Sequence, residues 1–219
     1  MNKNDQSQLI NYYSQRATEY EKIYSKPERH EDLVTLRKLL QNILAGHKVL
    51  EVACGTGFWT QSIAETAQSI TATDISEEVL NIARSKIFLK QNVDFKKLDA
   101  YKINVISDQF SAGFAGFWWS HIPRKQITTF ISSFHKAMSP NALIVFIDNL
   151  FVEGSSSPIS DVDSDGNTYQ LRTLENGTKH NVLKNFPTKS DLQNSVESLL
   201  VRQIRYETLK YYWCFYYYL

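Results

Sequence analysis

The chain has 219 residues, of which 42% are hydrophobic and 13% aromatic, so it can bury the core of one sizeable domain. Its 24 Lys and Arg residues nearly balance 23 Asp and Glu residues, and a formal net charge of +1 argues against a nucleic acid or an anionic membrane as a partner. Cys54 and Cys214 are too few for a disulfide or zinc framework. Because no signal peptide or membrane-spanning run is evident, the sequence predicts a cytoplasmic protein.

Residues 1–46 are predicted to form an N-terminal helical segment. A first helix is expected at 6–24 and a second at 30–44, where leucine and isoleucine recur at helical spacing. Gly46 follows at a position typical of a helix end. Four residues share one face of the first helix: Tyr13, Ala17, Tyr20 and Tyr24.

Residues 47–151 alternate between apolar strands and amphipathic helices, and we predict that they form the core of the fold. The strands are expected at 48–53, 69–73, 92–95, 110–117 and 142–148. The helices between them are expected near 58–66, 76–88 and 123–138. Strands that alternate with helices of this length form right-handed βαβ units, which build a parallel sheet.

The pattern changes after residue 151. Residues 152–168 are rich in Ser, Pro, Gly and Asp and are predicted to be a loop, while alternating runs around Asn176-Gly177 predict a β-hairpin. A helix is expected to start near Thr188 or Ser190, followed by two strands. We therefore expect a single domain with an inserted loop and hairpin at 152–187 and a closing part at 188–219.

The first core strand leads into a glycine-rich turn. The stretch VLEVACGTGFW, residues 49–59, places Gly55 and Gly57 between the strand and the next helix. Glycine there permits a positive φ and lets a ligand approach the backbone. A dinucleotide site would carry a third glycine, but Thr60 stands at that position. Taken alone, the two glycines are also compatible with a plain tight turn.

Acidic residues end the next two strands. Asp74 lies 17 residues after Gly57, where a carboxylate can accept hydrogen bonds from both hydroxyls of a ribose. Asp99, followed by Ala100, ends the third strand at the same edge of the sheet and could accept the amino group of an adenine. Open parallel sheets bind ligands along this edge, so the order and spacing predict a nucleoside site.

The glycines and acids together resemble a known pattern, the S-adenosylmethionine site of the class I methyltransferases. The nearest type is the small-molecule group similar to the methyltransferases of ubiquinone and menaquinone biosynthesis. The matching order is Glu51-x-Ala53-x-Gly55-x-Gly57, then Asp74, then Asp99-Ala100. The resemblance implies a Rossmann-like α/β fold with a seven-stranded, mostly parallel sheet and an antiparallel C-terminal strand. Ala53 is a departure, because the family often has glycine there.

The resemblance also implies roles around the glycine turn. Gly55 and Gly57 would let the backbone face the methionine part of S-adenosylmethionine. Carbonyl groups near Ala53 could accept hydrogen bonds from its ammonium group. Glu51 would lie beneath the turn and orient it.

Further roles are implied for the nucleoside part. Asp74 would hold the ribose, Ile75 would pack on the adenine, and Asp99 with Ala100 would lie at its edge. Phe117, at the end of the fourth strand, would lie beside the sulfonium, a cation that aromatic faces attract.

The acceptor side is expected near the end of the fourth strand. His121 could act as a general base, or it could only shape the pocket through a hydrogen bond to a neighbouring loop. Trp118 and Trp119 cannot point the same way on an extended chain, and we expect Trp118 to face the substrate. Tyr13 and Arg16 are predicted to contact the acceptor from an N-terminal lid; ordinary packing of this helix on the core is the alternative.

The predicted function is methyl transfer from S-adenosylmethionine to an oxygen, nitrogen or carbon of a small molecule. A nucleic-acid substrate is not expected, because the fourth strand lacks the [DN]-P-P-[FYW] motif of the enzymes that methylate amino groups of nucleic acids. A nucleotide-sugar or NAD-linked oxidoreductase and a protein that binds the cofactor without turnover are the alternatives. No metal is expected, since the calcium-like stretch at 161–167 is followed by Arg172 where a bidentate glutamate belongs. The sequence leaves open whether the chain is a monomer or a homodimer.

Overall fold

A seven-stranded sheet forms the centre of the molecule. The computed structural model describes residues 11–17, 19–103 and 109–219. The strands are β1 (Lys48–Val52), β2 (Ser69–Asp74), β3 (Val93–Lys97), β4 (Phe110–Gly116), β5 (Met138–Asn149), β6 (Asp161–Val162), β7 (Thr168–Thr173), β8 (Lys179–Leu183), β9 (Arg202–Thr208) and β10 (Tyr212–Tyr218). The α-helices are α1 (His30–Ile43), α2 (Phe58–Ala64), α3 (Glu77–Ser85), α4 (Ile127–His135) and α5 (Lys189–Val196).

The order of the strands confirms the predicted Rossmann-like α/β fold. In the large sheet the order is β3-β2-β1-β4-β5-β10-β9. Strands β1 to β5 run parallel, and β10 pairs antiparallel with both β5 and β9. The chain moves outward in one direction from β1 and then returns to add β4 on the other side. Such a reversal opens a crevice beyond the carboxyl ends of the strands, where ligands bind in folds of this kind.

Both faces of the parallel sheet are buried, which explains its near-continuous apolar strands. Leu50 and Val52 point to one face and pack in a cluster that includes Phe146. Val49 points to the other face and packs with a cluster that includes Leu40 and Phe114. The rigid sheet thereby fixes the positions of the loops that leave its carboxyl edge.

The extent predicted for the first helix is wrong. Residues 11–16 are helical, a turn follows, and a 3₁₀ helix spans Tyr20–Ser25; residues 6–10 and 18 lie outside the described part of the chain. One straight helix would place Tyr13 and Tyr24 on a single stripe roughly 16 Å apart. Instead, Tyr13 bonds to His121 at 2.7 Å and Tyr24 stacks on Phe58 with ring centroids 3.8 Å apart. These tertiary contacts in different directions override the helical spacing.

The insertion after β5 is larger than the predicted hairpin. Strands β6, β7 and β8 form a separate three-stranded antiparallel sheet, and β6 lies within the segment predicted to be a loop. The turn at Asn176-Gly177 is confirmed, with Gly177 at a φ of +82°. Helix α5 begins as predicted, because Thr188 and Asp191 form a reciprocal capping box.

Across the residues that the structure describes, no helix combines the length and the apolar character needed to cross a membrane.

A carboxyl group lies buried in the centre of the sheet. Glu51 on β1 is only 2% exposed, between Ala72 of β2 and Phe114 of β4. Its Oε2 atom makes no hydrogen bond to the described residues. Burial raises the pKa of Glu51 to about 8; the Thr60 hydroxyl opposes this rise and the charge of Asp74 adds to it. The carboxyl group is therefore largely protonated at neutral pH.

We expect Glu51→Gln to stabilise the protein at high pH. The unfolded chain ionises this group near its ordinary pKa of 4.5, whereas the folded chain keeps the proton up to about 8. Between these values the stability of the wild type falls as pH rises, because the unfolded state releases the proton first. At pH 8 the variant should be more stable than the wild type by on the order of a few kcal/mol, and the difference should shrink toward pH 4.5.

Thermal unfolding at both pH values measures this difference. Glu197→Gln, at an exposed position at the end of α5, is the matched control and should show no pH-dependent gain. If Glu51→Gln changed the stability by the same amount at pH 4.5 and at pH 8, the buried proton on Glu51 would not explain the effect.

Candidate active site

Two adjoining cavities lie beyond the carboxyl edge of the parallel strands. The smaller, about 90 Å³, is lined by residues that follow β1, β2, β3 and β4. The larger, about 400 Å³, lies between the N-terminal segment, residues 155–157 and the sheet of β7 and β8. Tyr13, Phe117 and His121 line both cavities and so form the boundary between them.

The Asp74 carboxylate joins the ends of β1 and β2 in the smaller cavity. Its Oδ2 accepts a hydrogen bond from the Gly55 N–H at 2.9 Å, and its Oδ1 accepts one from the Ser76 N–H at 2.9 Å. Burial raises the pKa of Asp74, and these backbone hydrogen bonds oppose the rise. A carboxylate oxygen can accept more than one hydrogen bond, so Asp74 retains acceptor capacity toward a ligand.

The glycine turn requires left-handed backbone conformations. Gly55 has a φ of +55° and Gly57 a φ of +77°. A Cβ atom on Gly57 would lie 3.1 Å from the Ala83 Cβ, so glycine also permits the close packing of the turn on α3. Ala53 has a φ of +54°, a conformation that costs an L-residue roughly 1–2 kcal/mol. Gly55 and Ala53 line the smaller cavity, whereas Gly57 and the buried Glu51 support it from outside the lining.

The rest of the smaller cavity is a mostly apolar slot. Asp99 and Ala100 lie on the loop after β3, and the Asp99 Oδ1 atom accepts a hydrogen bond from the Tyr101 N–H at 2.9 Å. Trp118 lines this cavity and not the larger one, while Trp119 is buried against Phe146. The apolar residues of the lining are Ala53, Ile75, Val79, Leu98, Ala100, Phe117 and Trp118.

His121 has a defined tautomer. Its Nδ1 atom lies 2.6 Å from the Leu183 carbonyl oxygen, which can only accept, so Nδ1 carries the proton. Its Nε2 atom therefore accepts from the Tyr13 hydroxyl at 2.7 Å. Burial lowers the pKa of His121 well below its usual range; the charges of Lys184 and Arg172 lower it further, and that of Asp148 opposes this. The imidazole is consequently neutral at physiological pH.

The N-terminal segment contacts the chain just after β1 and just after β2, beside the smaller cavity. The Ser14 hydroxyl lies 3.1 Å from the Ser76 hydroxyl and donates to Glu78 Oε2 at 3.2 Å. The Thr56 hydroxyl in the glycine turn donates to Glu21 Oε1 at 2.6 Å. From the same segment, Arg16 lines the larger cavity. These contacts fix Tyr13 at the boundary between the cavities.

Sequence reasoning missed most of the polar groups of the larger cavity. Arg29, Lys184 and Asn149 line it and are buried, yet they belong to no motif. Asp148, completely buried beside Asn149, forms an ion pair with Lys184 at 2.9 Å. The available signal was chemical: Asp148 interrupts the apolar run of β5, where charged residues are rare unless they have partners, while Lys184 follows β8 with no such signal.

Comparison with known sequences places the glycine turn within a recognised family model. Residues 49–141 match the model described as a methyltransferase domain. A demethylmenaquinone methyltransferase of Staphylococcus epidermidis is 26% identical over 110 residues, 49% of this chain and 45% of that protein. One from Staphylococcus aureus is 21% identical over 152 residues, 67% of this chain and 62% of that protein. The chain thus spans about half to three-fifths of the length of these curated relatives.

Solved structures share the fold over nearly the whole chain. The complex of DhpI with SAM and HEP aligns with a TM-score of 0.79 at 24% identity and covers 99% of both chains. The PH0226 protein from Pyrococcus horikoshii OT3 aligns with a TM-score of 0.70 at 20% identity, covering 91% of this chain and 98% of that one. Together, these comparisons show that residues 49–141 are similar to a methyltransferase domain and that the chain has the fold of the class I S-adenosylmethionine-dependent methyltransferases.

Proposed function

We propose that the chain transfers a methyl group from S-adenosylmethionine to an oxygen, nitrogen or carbon atom of a small-molecule acceptor. The observation that carries this proposal is the Asp74 carboxylate, bonded to the Gly55 and Ser76 N–H groups at the mouth of an apolar slot. The similar staphylococcal proteins are described as methyltransferases, and two structures of DhpI contain SAH or SAM. We further propose that the chain acts in the cytoplasm and on a small molecule, with no nucleic-acid partner.

The residues of the smaller cavity fit the nucleoside part of this cofactor. Asp74 has the acceptor capacity to bind a ribose diol, Ile75 offers an apolar surface for the adenine, and Asp99 can accept from its amino group. Gly55 and Ala53 bring backbone close to the place of the methionine part. At about 90 Å³ the cavity is narrower than the ~300–1,000 Å³ of typical ligand sites, so a bound nucleoside would have to move its walls apart.

The acceptor is proposed to occupy the larger cavity. The cofactor supplies an electrophilic methyl group, and transfer requires the acceptor atom to approach in line with the carbon–sulfur bond. Tyr13, Phe117 and His121 stand between the two cavities, so this boundary is where the two reactants would meet. The chain contributes alignment and exclusion of water, which can supply much of the acceleration for such a displacement.

We propose that His121 positions Tyr13 at this boundary. The Nε2 atom, which a general base would use, already accepts the Tyr13 hydroxyl, and the lowered pKa makes the imidazole a weak base. The other predicted role for His121 is that of a general base. Whether its imidazole titrates near neutral pH distinguishes that role from the positioning of Tyr13.

We expect Asp74→Ala to weaken binding of S-adenosylhomocysteine at least tenfold, because the variant loses both the ribose acceptor and the bridge to Gly55. Calorimetric titration measures the affinity, and circular dichroism checks the fold. Asp94→Ala removes an exposed carboxylate from β3 and should bind like the wild type. Equal affinity of Asp74→Ala and the wild type would place the cofactor elsewhere.

Nitrogen NMR of histidine-labelled protein should show His121 as the neutral Nδ1–H tautomer, with no titration between pH 6 and pH 8. This follows from its burial, its bond to the Leu183 carbonyl and the neighbouring cations. Tyr13→Phe should shift the Nε2 resonance while leaving Nδ1 protonated. Titration of His121 near its ordinary pKa of 6.5 would favour the general-base role instead.

A further inference from the structure

We propose that the larger cavity binds its acceptor through an anionic group, a carboxylate or a phosphoryl group, held by Arg29 with support from Lys26 and Arg172. This inference rests on the proposed function, in which the smaller cavity holds the cofactor. It narrows the acceptor from any small molecule to a small acid.

Positive charge is concentrated in the wall of the larger cavity. Among the described residues that line this cavity, six are basic and one, Glu19, is acidic. Lys22 pairs with Glu175 and Lys184 with Asp148. This concentration of basic residues in one wall contrasts with the formal net charge of the whole chain, which is only +1. The six basic residues are Arg16, Lys22, Lys26, Arg29, Arg172 and Lys184.

Arg29 is the centre of this charge. Its side chain is 4% exposed, and its guanidinium donates to the Ser155 hydroxyl at 3.0 Å and to the Asn149 Oδ1 atom at 3.2 Å. It also lies 5.2 Å from the centre of the Tyr211 ring and 5.6 Å from that of Tyr212. These partners are neutral. A buried arginine ordinarily pairs with an anion, because the desolvated charge is otherwise costly.

The neighbouring carboxylates are engaged elsewhere. Asp32 accepts from the Tyr211 N–H at 2.7 Å, and the exposed Glu28 accepts from the Ser155 hydroxyl at 3.2 Å. Within the described residues, neither forms an ion pair with Arg29. Asp148 accepts from the Lys184 ammonium, and its Oδ2 accepts from the Ser120 N–H at 2.9 Å. Of these two buried cations, Lys184 has a buried carboxylate as its partner, whereas Arg29 forms no ion pair within the described residues.

The same excess of charge acts on neighbouring groups. The positive charges of Arg172 and Arg29 contribute to the lowered pKa of Lys184, for which burial is the main cause. Lys184 and Arg172 likewise help to lower the pKa of His121. Lys26 adds a further cation beside Arg29, since its Nζ atom donates to the Ser155 carbonyl at 2.9 Å. An anionic ligand would relieve this mutual repulsion, and a guanidinium matches the geometry of carboxylates and phosphates.

The anion site lies close to the boundary with the smaller cavity. The Tyr212 ring, which Arg29 faces, packs against Phe117 with centroids 5.6 Å apart. A short acid bound to Arg29 would thus reach the place where the methyl group is transferred. An oxygen of the deprotonated acid that is not bonded to Arg29 needs no base: its lone pair forms the new bond to the methyl carbon while the carbon–sulfur pair stays on sulfur. The oxyanion and sulfonium charges cancel, which leaves a neutral thioether and a methyl ester of the acid.

The test is calorimetric titration with phenyl phosphate, benzoate and the uncharged benzamide, each with and without saturating S-adenosylhomocysteine. At least one anion should bind, benzamide should not, and the affinity should fall as salt is added. Arg29→Gln and Lys26→Gln should each weaken anion binding at least tenfold, while Arg29→Lys should retain part of it. Lys125→Gln removes a surface cation that lines neither cavity and should bind as the wild type does.

The outcomes separate the two proposals. If S-adenosylhomocysteine binds but benzamide matches the anions, or no anion binds, the anionic acceptor is wrong and the proposed function stands. If Arg29→Gln fails to fold, the anion affinity of Lys26→Gln still decides the test. If both variants bind the anions as tightly as the wild type does, Arg29 has a structural role only. If anions bind through Arg29 but S-adenosylhomocysteine does not bind, the proposed function fails and with it the role of the anion as methyl acceptor. The difference between phenyl phosphate and benzoate identifies which acid fits.

Discussion

The bridge made by the Asp74 carboxylate is the interaction on which the rest of the site depends. It ties the backbone of the glycine turn after β1 to the start of α3 after β2, so two neighbouring strand ends become one rigid edge. Glycine is needed in this turn because Gly57 packs against Ala83 in a left-handed conformation. The sheet supplies the position, since the strand order reverses between β1 and β4 at the same edge.

The larger cavity, where we propose that the acceptor binds, is built mostly from parts of the chain that the family model does not cover. That model ends at residue 141, whereas Tyr13, Arg29, Asn149 and Lys184 all lie outside residues 49–141. The nucleoside side therefore follows a shared pattern, while the N-terminal segment and the inserted sheet determine which molecule can enter the larger cavity. Variation in such peripheral segments is a physical route by which one fold serves many acceptors.

The sequence predicted the sheet and most residues that line the smaller cavity, because both rest on local signals. Apolar strands alternating with helices specify a parallel sheet, and Gly55 and Asp74 stand at the turns where its strands end. The first helix was mispredicted because Tyr13 and Tyr24 have the spacing of one helical face but contact different parts of the core. Arg29 and Lys184 come together only in the folded chain, from positions 155 residues apart, so no local pattern could indicate their shared cavity.

The central claim is that the edge organised by Asp74 binds S-adenosylmethionine and not a dinucleotide. The most direct measurement is calorimetric titration of the wild-type chain with S-adenosylhomocysteine, with NAD as the parallel ligand. The account predicts saturable binding of S-adenosylhomocysteine at one site and no binding of NAD. Saturable binding of NAD, with none of S-adenosylhomocysteine, would contradict it.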